Sequence, residues 1–131
     1  MTSPAPSITG VDFVTVFVRD FPAASDFYGR VLGLPRSADY GKVPGAEYET
    51  GSLTLQVMDA AAIGREFVAS THPIALHVDD VAVAREALEA QGVTFFGETI
   101  DSGVCHMAIF ADPDGNSLIL HHRYKPREAS A

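Results

Sequence analysis

The sequence is short of several things, and each shortage excludes something. It has one cysteine, Cys105, so no disulfide can form within the chain and a reducing compartment is expected. It has no tryptophan, so any aromatic stacking surface must come from its Phe and Tyr residues. Lys and Arg total 9 against 17 Asp and Glu, a net charge of −8, and no basic cluster occurs anywhere. That argues against nucleic acid and anionic membranes as partners. No apolar run approaches the ~20 residues of a membrane span. The opening residues, Met1 to Ser7, carry neither a basic segment nor an apolar stretch, so no signal peptide is expected and the location is read as cytoplasmic. What remains is ordinary for one globular domain: 131 residues, 47% apolar and 20% charged.

The pattern that is present is a repeat. Shifting the chain by 60 residues lays Val14, Val16, Val18 and Asp20 on Ile74, Leu76, Val78 and Asp80. The same shift lays Ala24, Phe27 and Tyr28 on Ala84, Ala87 and Leu88. Each half opens with an alternating strand, then an Asp suited to cap a helix, then a helical apolar face. Gly33 and Gly92 are read as the two helix stops. Strands are expected near 37–40, 46–49 and 52–58 in the first half. In the second half they are expected near 94–98, 104–111 and 117–124. Asp112-Pro-Asp-Gly-Asn116 predicts the turn of a hairpin joining the last two strands. The stretch 59–71 links the halves, with a helical turn at 60–63. Residues 1–7 read as a flexible lead and 125–131 as a tail around one domain over 8–124, its modules near 8–58 and 72–124.

Strand parity then separates two faces. One carries uniform aliphatic rows: Val14, Val16 and Val18; Leu53, Leu55 and Val57; Ile74, Leu76 and Val78; Leu118 and Leu120. These should pack under the helices. The other is mixed. It carries Phe13, Thr15 and Phe17; Thr54, Gln56 and Met58; Pro73, Ala75 and His77; Cys105, Met107 and Ile109; Ile119 and His121. An apolar face with a few polar groups suits a small-molecule cavity, and it equally suits a second core or a dimer face. The candidate ligand-binding residues are Phe13, Thr15, Phe17, Gln56, His77, Cys105, Met107, Ile119 and His121. His77 and His121 are the candidate general bases, because an imidazole titrates near neutral pH. Cys105 reads as a small buried hydrophobe and His122 as part of a polar strand end. Glu47 and Glu49 share one strand face and, with Asp59, could form an acidic rim.

The doubled strand-helix-three-strand plan resembles the vicinal oxygen chelate superfamily, which includes glyoxalase I, extradiol dioxygenases and bleomycin-resistance proteins. The resemblance rests on Phe27-Tyr28 followed by Val31-Leu32-Gly33-Leu34, on Ile74-Ala-Leu-His-Val-Asp79, and on Asp112-Pro-Asp-Gly-Asn116 with Leu118 and Leu120. It implies an α+β fold in which two βαβββ modules form curled half-barrel sheets around a central cavity, helices outside. It also implies four metal-ligand positions, which fall here on Phe13, Gln56 (or Thr54), Pro73 and Ile119. Phe, Pro and Ile side chains offer no lone pair, so no divalent metal and no other cofactor is expected. Two functions stay open. One is a metal-free binding protein that sequesters an aromatic or cationic ligand. The other is a glyoxalase-like enzyme of lyase, isomerase or dioxygenase type with a metal-free or displaced metal site. The family resemblance, with its exposed sheet edges, also implies a homodimer.

Overall fold

The computed structural model describes residues 4–127. The lead expected over 1–7 and the tail over 125–131 lie partly outside the described residues. The elements run β1 (Phe13–Val18), α1 (Phe21–Asp26), β2 (Arg36–Asp39), β3 (Gly45–Glu49), β4 (Thr54–Asp59), β5 (Ile74–His77), α2 (Val81–Ala90), β6 (Ile100–Asp101), β7 (Cys105–Ala111) and β8 (Ser117–Arg123). They form two four-stranded sheets of the same design, ordered β1-β4-β3-β2 and β5-β8-β7-β6. In each, the first strand lies parallel to the last, and the other neighbours are antiparallel. The α+β plan of two βαβββ modules is therefore as the repeat implied.

Both helices start as their sequences require. Asp20 accepts from the Ala23 amide at 3.1 Å and Asp80 from the Val83 amide at 3.0 Å, each satisfying an orphan N–H of the first turn. Gly33 (φ 72°) and Gly92 (φ 90°) follow the helices in the left-handed region that a side chain would strain. α1 departs from its expected α geometry. It continues as a π-helical turn over Phe27–Val31, in which the Leu32 amide reaches the Phe27 carbonyl at 2.8 Å. Apolar periodicity does not distinguish this turn from an α turn, because both keep Phe27 and Tyr28 in the core.

The strand expected near 94–98 is the other departure. Only an isolated bridge joins Phe95 to Phe110, and the paired segment shrinks to the two residues of β6. Gly97 turns the chain at φ 74°, and Arg85 holds the bend from α2, bonding the Gly97 carbonyl and the Thr99 hydroxyl. Phe95 stays buried on Phe110, 5.0 Å between ring centroids, while Phe96 faces outward.

The core lies on the aliphatic faces. Val16, Val18, Ala46, Tyr48, Leu55 and Val57 from the first sheet join Ala108, Phe110, Leu118 and Leu120 from the second, with Phe27, Tyr28, Val81 and Leu88 from the helices. Burying a side chain of this size stabilises by about 1.5–3 kcal/mol. The two modules thus share one core and meet through their helix sides, which leaves the mixed faces outside it.

Candidate functional site

On the first sheet the mixed face is held by a chain of side-chain hydrogen bonds. β1 and β4 pair Phe13 with Thr54, Thr15 with Gln56 and Phe17 with Met58, and β4 pairs Gln56 with Glu47 and Thr54 with Glu49 on β3. Directly opposed residues share a face, so these side chains are neighbours. The Thr15 hydroxyl donates to Gln56 Oε1 at 2.7 Å, Gln56 Nε2 donates to the Tyr40 hydroxyl at 3.0 Å, and Tyr40 in turn donates to Glu47 Oε2. Beside this ladder, Thr54 and Ser37 both donate to the Glu49 carboxylate, at 2.8 and 2.5 Å. Phe13 stands 53% exposed at one end. Phe17 is half-buried, with the Arg65 guanidinium 4.9 Å above its ring.

The electrostatics of the face follow from these bonds. Hydroxyl donors, Ser37 first and then Thr54, hold the Glu49 carboxyl below its ordinary range. Burial, and then the hydrogen bond to Glu47, push the Tyr40 phenol upward. At neutral pH the face therefore presents the Glu49 carboxylate and a protonated Tyr40 phenol, with Glu47 and the Gln56 amide beside them among aromatic side chains. Gly45 is part of the construction, because a Cβ there would sit 2.5 Å from Met58 Sδ and 2.7 Å from the Tyr40 ring. Parity placed Thr15, Gln56, Phe13 and Phe17 together on this face. It missed Tyr40, which lies beyond the strand and enters only through its long side chain.

The second sheet carries a more apolar counterpart. β7 and β8 pair Met107 with His121, Ile109 with Ile119 and Cys105 with Arg123, so these residues form one face. Cys105 is buried, its sulfur 3.0 Å from the Ser102 hydroxyl. Among the described residues, Arg123 Nε is buried with no hydrogen-bond partner. His77 is paired in register with His121 at the sheet edge, yet its ring lies 5.7 Å from His122, on the other parity. The imidazole is largely exposed and sits 3.4 Å from Asp79. β5 ends at His77, and the strand end does not hold the side chain over the sheet.

Among the described residues, no hydrogen bond, ion pair or ring contact joins a side chain of one mixed face to a side chain of the other. On the first sheet, Thr15 and Phe17 border a hollow of about 310 Å³ shared with Val68, Ser70 and His72. His72 precedes β5, so strand alternation does not fix the direction of its side chain.

The four positions where the family resemblance implies a metal hold Phe13, Gln56, Pro73 and Ile119. Gln56 Oε1 already accepts from Thr15. Among the described residues, no group of three or more His, Cys, Asp or Glu side chains is placed to hold a metal ion. The donor set does not fit such an ion.

The sequence model of the Glyoxalase/Bleomycin resistance protein/Dioxygenase superfamily matches residues 10–120. No curated protein matches the chain. Among solved structures, a glyoxalase/bleomycin resistance protein/dioxygenase from Nocardioides is 20% identical with a TM-score of 0.75, covering 96% of this chain and 93% of that one. A lactoylglutathione lyase from Agrobacterium tumefaciens is 19% identical with a TM-score of 0.72, covering 88% and 94%. TnmS3, an antibiotic binding protein from Streptomyces, is 25% identical with a TM-score of 0.76, covering 91% and 99%. The doubled βαβββ architecture and the match over 10–120 together make this chain a member of the Glyoxalase/Bleomycin resistance protein/Dioxygenase superfamily.

Proposed function

We propose that the protein is a metal-free small-molecule binding protein of the cytoplasm, and that its ligand lies on the mixed sheet faces. The observation that carries this reading is the ladder Thr15–Gln56–Tyr40–Glu47, a set of polar groups already held in place on an otherwise open face. Preorganised polar groups between aromatic side chains orient a ligand at low entropic cost. Glu47 and Glu49 favour a cation, and Phe13 and Phe17 offer ring faces for an aromatic group. The class is an aromatic molecule with a protonated amine, and sequestration needs no chemical step. TnmS3 supports binding of this general kind, because an antibiotic binding protein shares the architecture.

An open face is half a site. Since the modules of one chain meet through their helix sides, a second copy supplies the missing wall, and the protein works as a homodimer. The apolar face with His121 and Met107 from one copy would cover the ladder of the other. The test is calorimetric titration with metal-free bleomycin and with other aromatic antibiotics that carry an amine, alongside light scattering. The expected result is a dimer that binds at least one of these. Gln56→Ala and Phe13→Ala should weaken binding about tenfold or more while leaving the melting temperature nearly unchanged. A monomer that binds none of the panel counts against the proposal.

A further inference from the structure

The internal repeat produces two clefts where the modules meet, and they are not alike. One lies between α1 and the β7–β8 turn, and the other between α2 and the β3–β4 turn. In the first, Phe27 packs edge-on against Tyr28 at 5.3 Å, and Tyr28 reaches Asp112. Arg30 bridges Asp26 on its own helix and Gln91 at the end of α2. In the second, Ala87 and Leu88 stand where the repeat has Phe27 and Tyr28. Both clefts are open, the first at about 470 Å³, but the first touches no residue of β1, whereas the second runs down to Ile74 and Leu76 of β5. The second is a partly enclosed cleft of about 400 Å³, walled by Leu32, Leu53, Leu76, Ala84, Ala87 and Leu88. That size falls among small-molecule sites, and walls so largely aliphatic hold water poorly.

The polar residues that line the cleft are Thr50 and Ser52 of the β3–β4 turn and His77, whose ring lies 5.7 Å from that of His122. Asp79, 3.4 Å from His77 Nε2, and the net charge of −8 disfavour an anion there. The aliphatic walls disfavour an unpaired charge of either sign.

We propose that this cleft is a second small-molecule site, separate from the sheet faces. It takes a compact, uncharged, apolar molecule with one hydrogen-bonding group that meets His77. The proposal stands on the broken repeat and on the depth to which this cleft alone reaches the strand beneath its helix, whether or not the sheet faces bind anything.

The test uses the full chain and the neutral fluorophore N-phenyl-1-naphthylamine. Saturable fluorescence enhancement is expected, with shifts of the Leu32, Leu53 and Leu88 methyl resonances. Ala87→Phe restores to α2 the ring that α1 carries, and Leu53→Phe fills the cleft from the other side. Each should weaken the probe about tenfold or more without lowering the melting temperature. Phe17→Ala, on the far face of the first sheet, should leave this affinity unchanged. Absence of saturable binding overturns the proposal, as does equal affinity in both filled variants. A probe lost in Phe17→Ala but kept in Ala87→Phe also overturns it, and leaves the sheet-face reading intact.

Discussion

The Tyr28 hydroxyl donates to Asp112 Oδ2 at 2.8 Å, joining the helix of the first module to the hairpin turn of the second across 84 residues. Both groups are buried. Asp112 also accepts from the Asp114 and Asn116 amides and from Asn116 Nδ2, so the carboxylate is fully engaged. The same turn reaches back to the first module twice more. Asn116 Nδ2 donates to the Phe17 carbonyl, and Asp114 Oδ2 accepts from the Arg19 and Asp20 amides.

Tyr28→Phe should therefore cost about 1.5–3 kcal/mol, the usual worth of a hydrogen bond to a charged group. Burial first, and then the neighbouring Asp112 charge, hold the Tyr28 phenol far above its ordinary value. A raised folded pKa contributes stability below the unfolded value near pH 10, and that stability is lost as pH rises past it. Alkaline denaturation of the wild type should be steeper above pH 10 than that of Tyr28→Phe. In ultraviolet titration, Tyr28 should ionise only as the protein unfolds. Its ionisation in the folded state would contradict this.

Leu55→Ala and Phe17→Ala should differ sharply. Leu55 is fully buried in the shared core, where truncation costs about 2–5 kcal/mol. Phe17 is half-buried under Arg65 and borders a hollow, so its truncation should cost less. Denaturant melts of both variants decide the matter. Equal losses would make the mixed face ordinary core and remove the proposed site.

Acid should weaken the first sheet through Glu49. Its folded pKa is lowered by the Ser37 and Thr54 hydroxyls, so its contribution is present above the unfolded value near pH 4.3 and fades as pH falls through the lower folded one. Glu49→Gln should melt below wild type at pH 7, and the gap should close toward about pH 3. A gap independent of pH would mean the carboxylate charge plays no part.

Purified without an affinity tag, the protein should carry well under one metal ion per chain, and chelator should leave its melting temperature unchanged. The reason is chemical: Phe13, Pro73 and Ile119 have no donor atom, and the Gln56 oxygen is occupied by Thr15. Stoichiometric zinc, nickel or iron by elemental analysis would refute this.

Gly45→Ala should cost about 1–3 kcal/mol, because the new methyl collides with Met58 and Tyr40. If Tyr40 swings away, Gln56 loses a partner, and ligand affinity should fall further than the loss of stability explains. Unchanged affinity in a folded variant would show that the ladder does not position ligand.

The sequence by itself determined the repeat, the two faces and most of the elements. Strand alternation and helix capping are local rules, and Val14 to Val18, Asp20, Asp80 and Gly33 obey them without help from the rest of the chain. It also brought Thr15 and Gln56 to one face, because side-chain period alone settles that. What it could not determine was anything that depends on distant segments meeting. Asp112-Pro-Asp-Gly-Asn116 reads as a turn, yet its carboxylates and amide also bind the first module. Nothing local records that, since the partners lie 84 to 99 residues away. Tyr40 enters the ladder through side-chain reach, and His77 leaves its expected place because a strand end does not constrain it. The clefts between modules exist only once both repeats have packed. Their difference traces to Phe27 and Tyr28 against Ala87 and Leu88, a contrast visible in the sequence whose consequence required the tertiary structure.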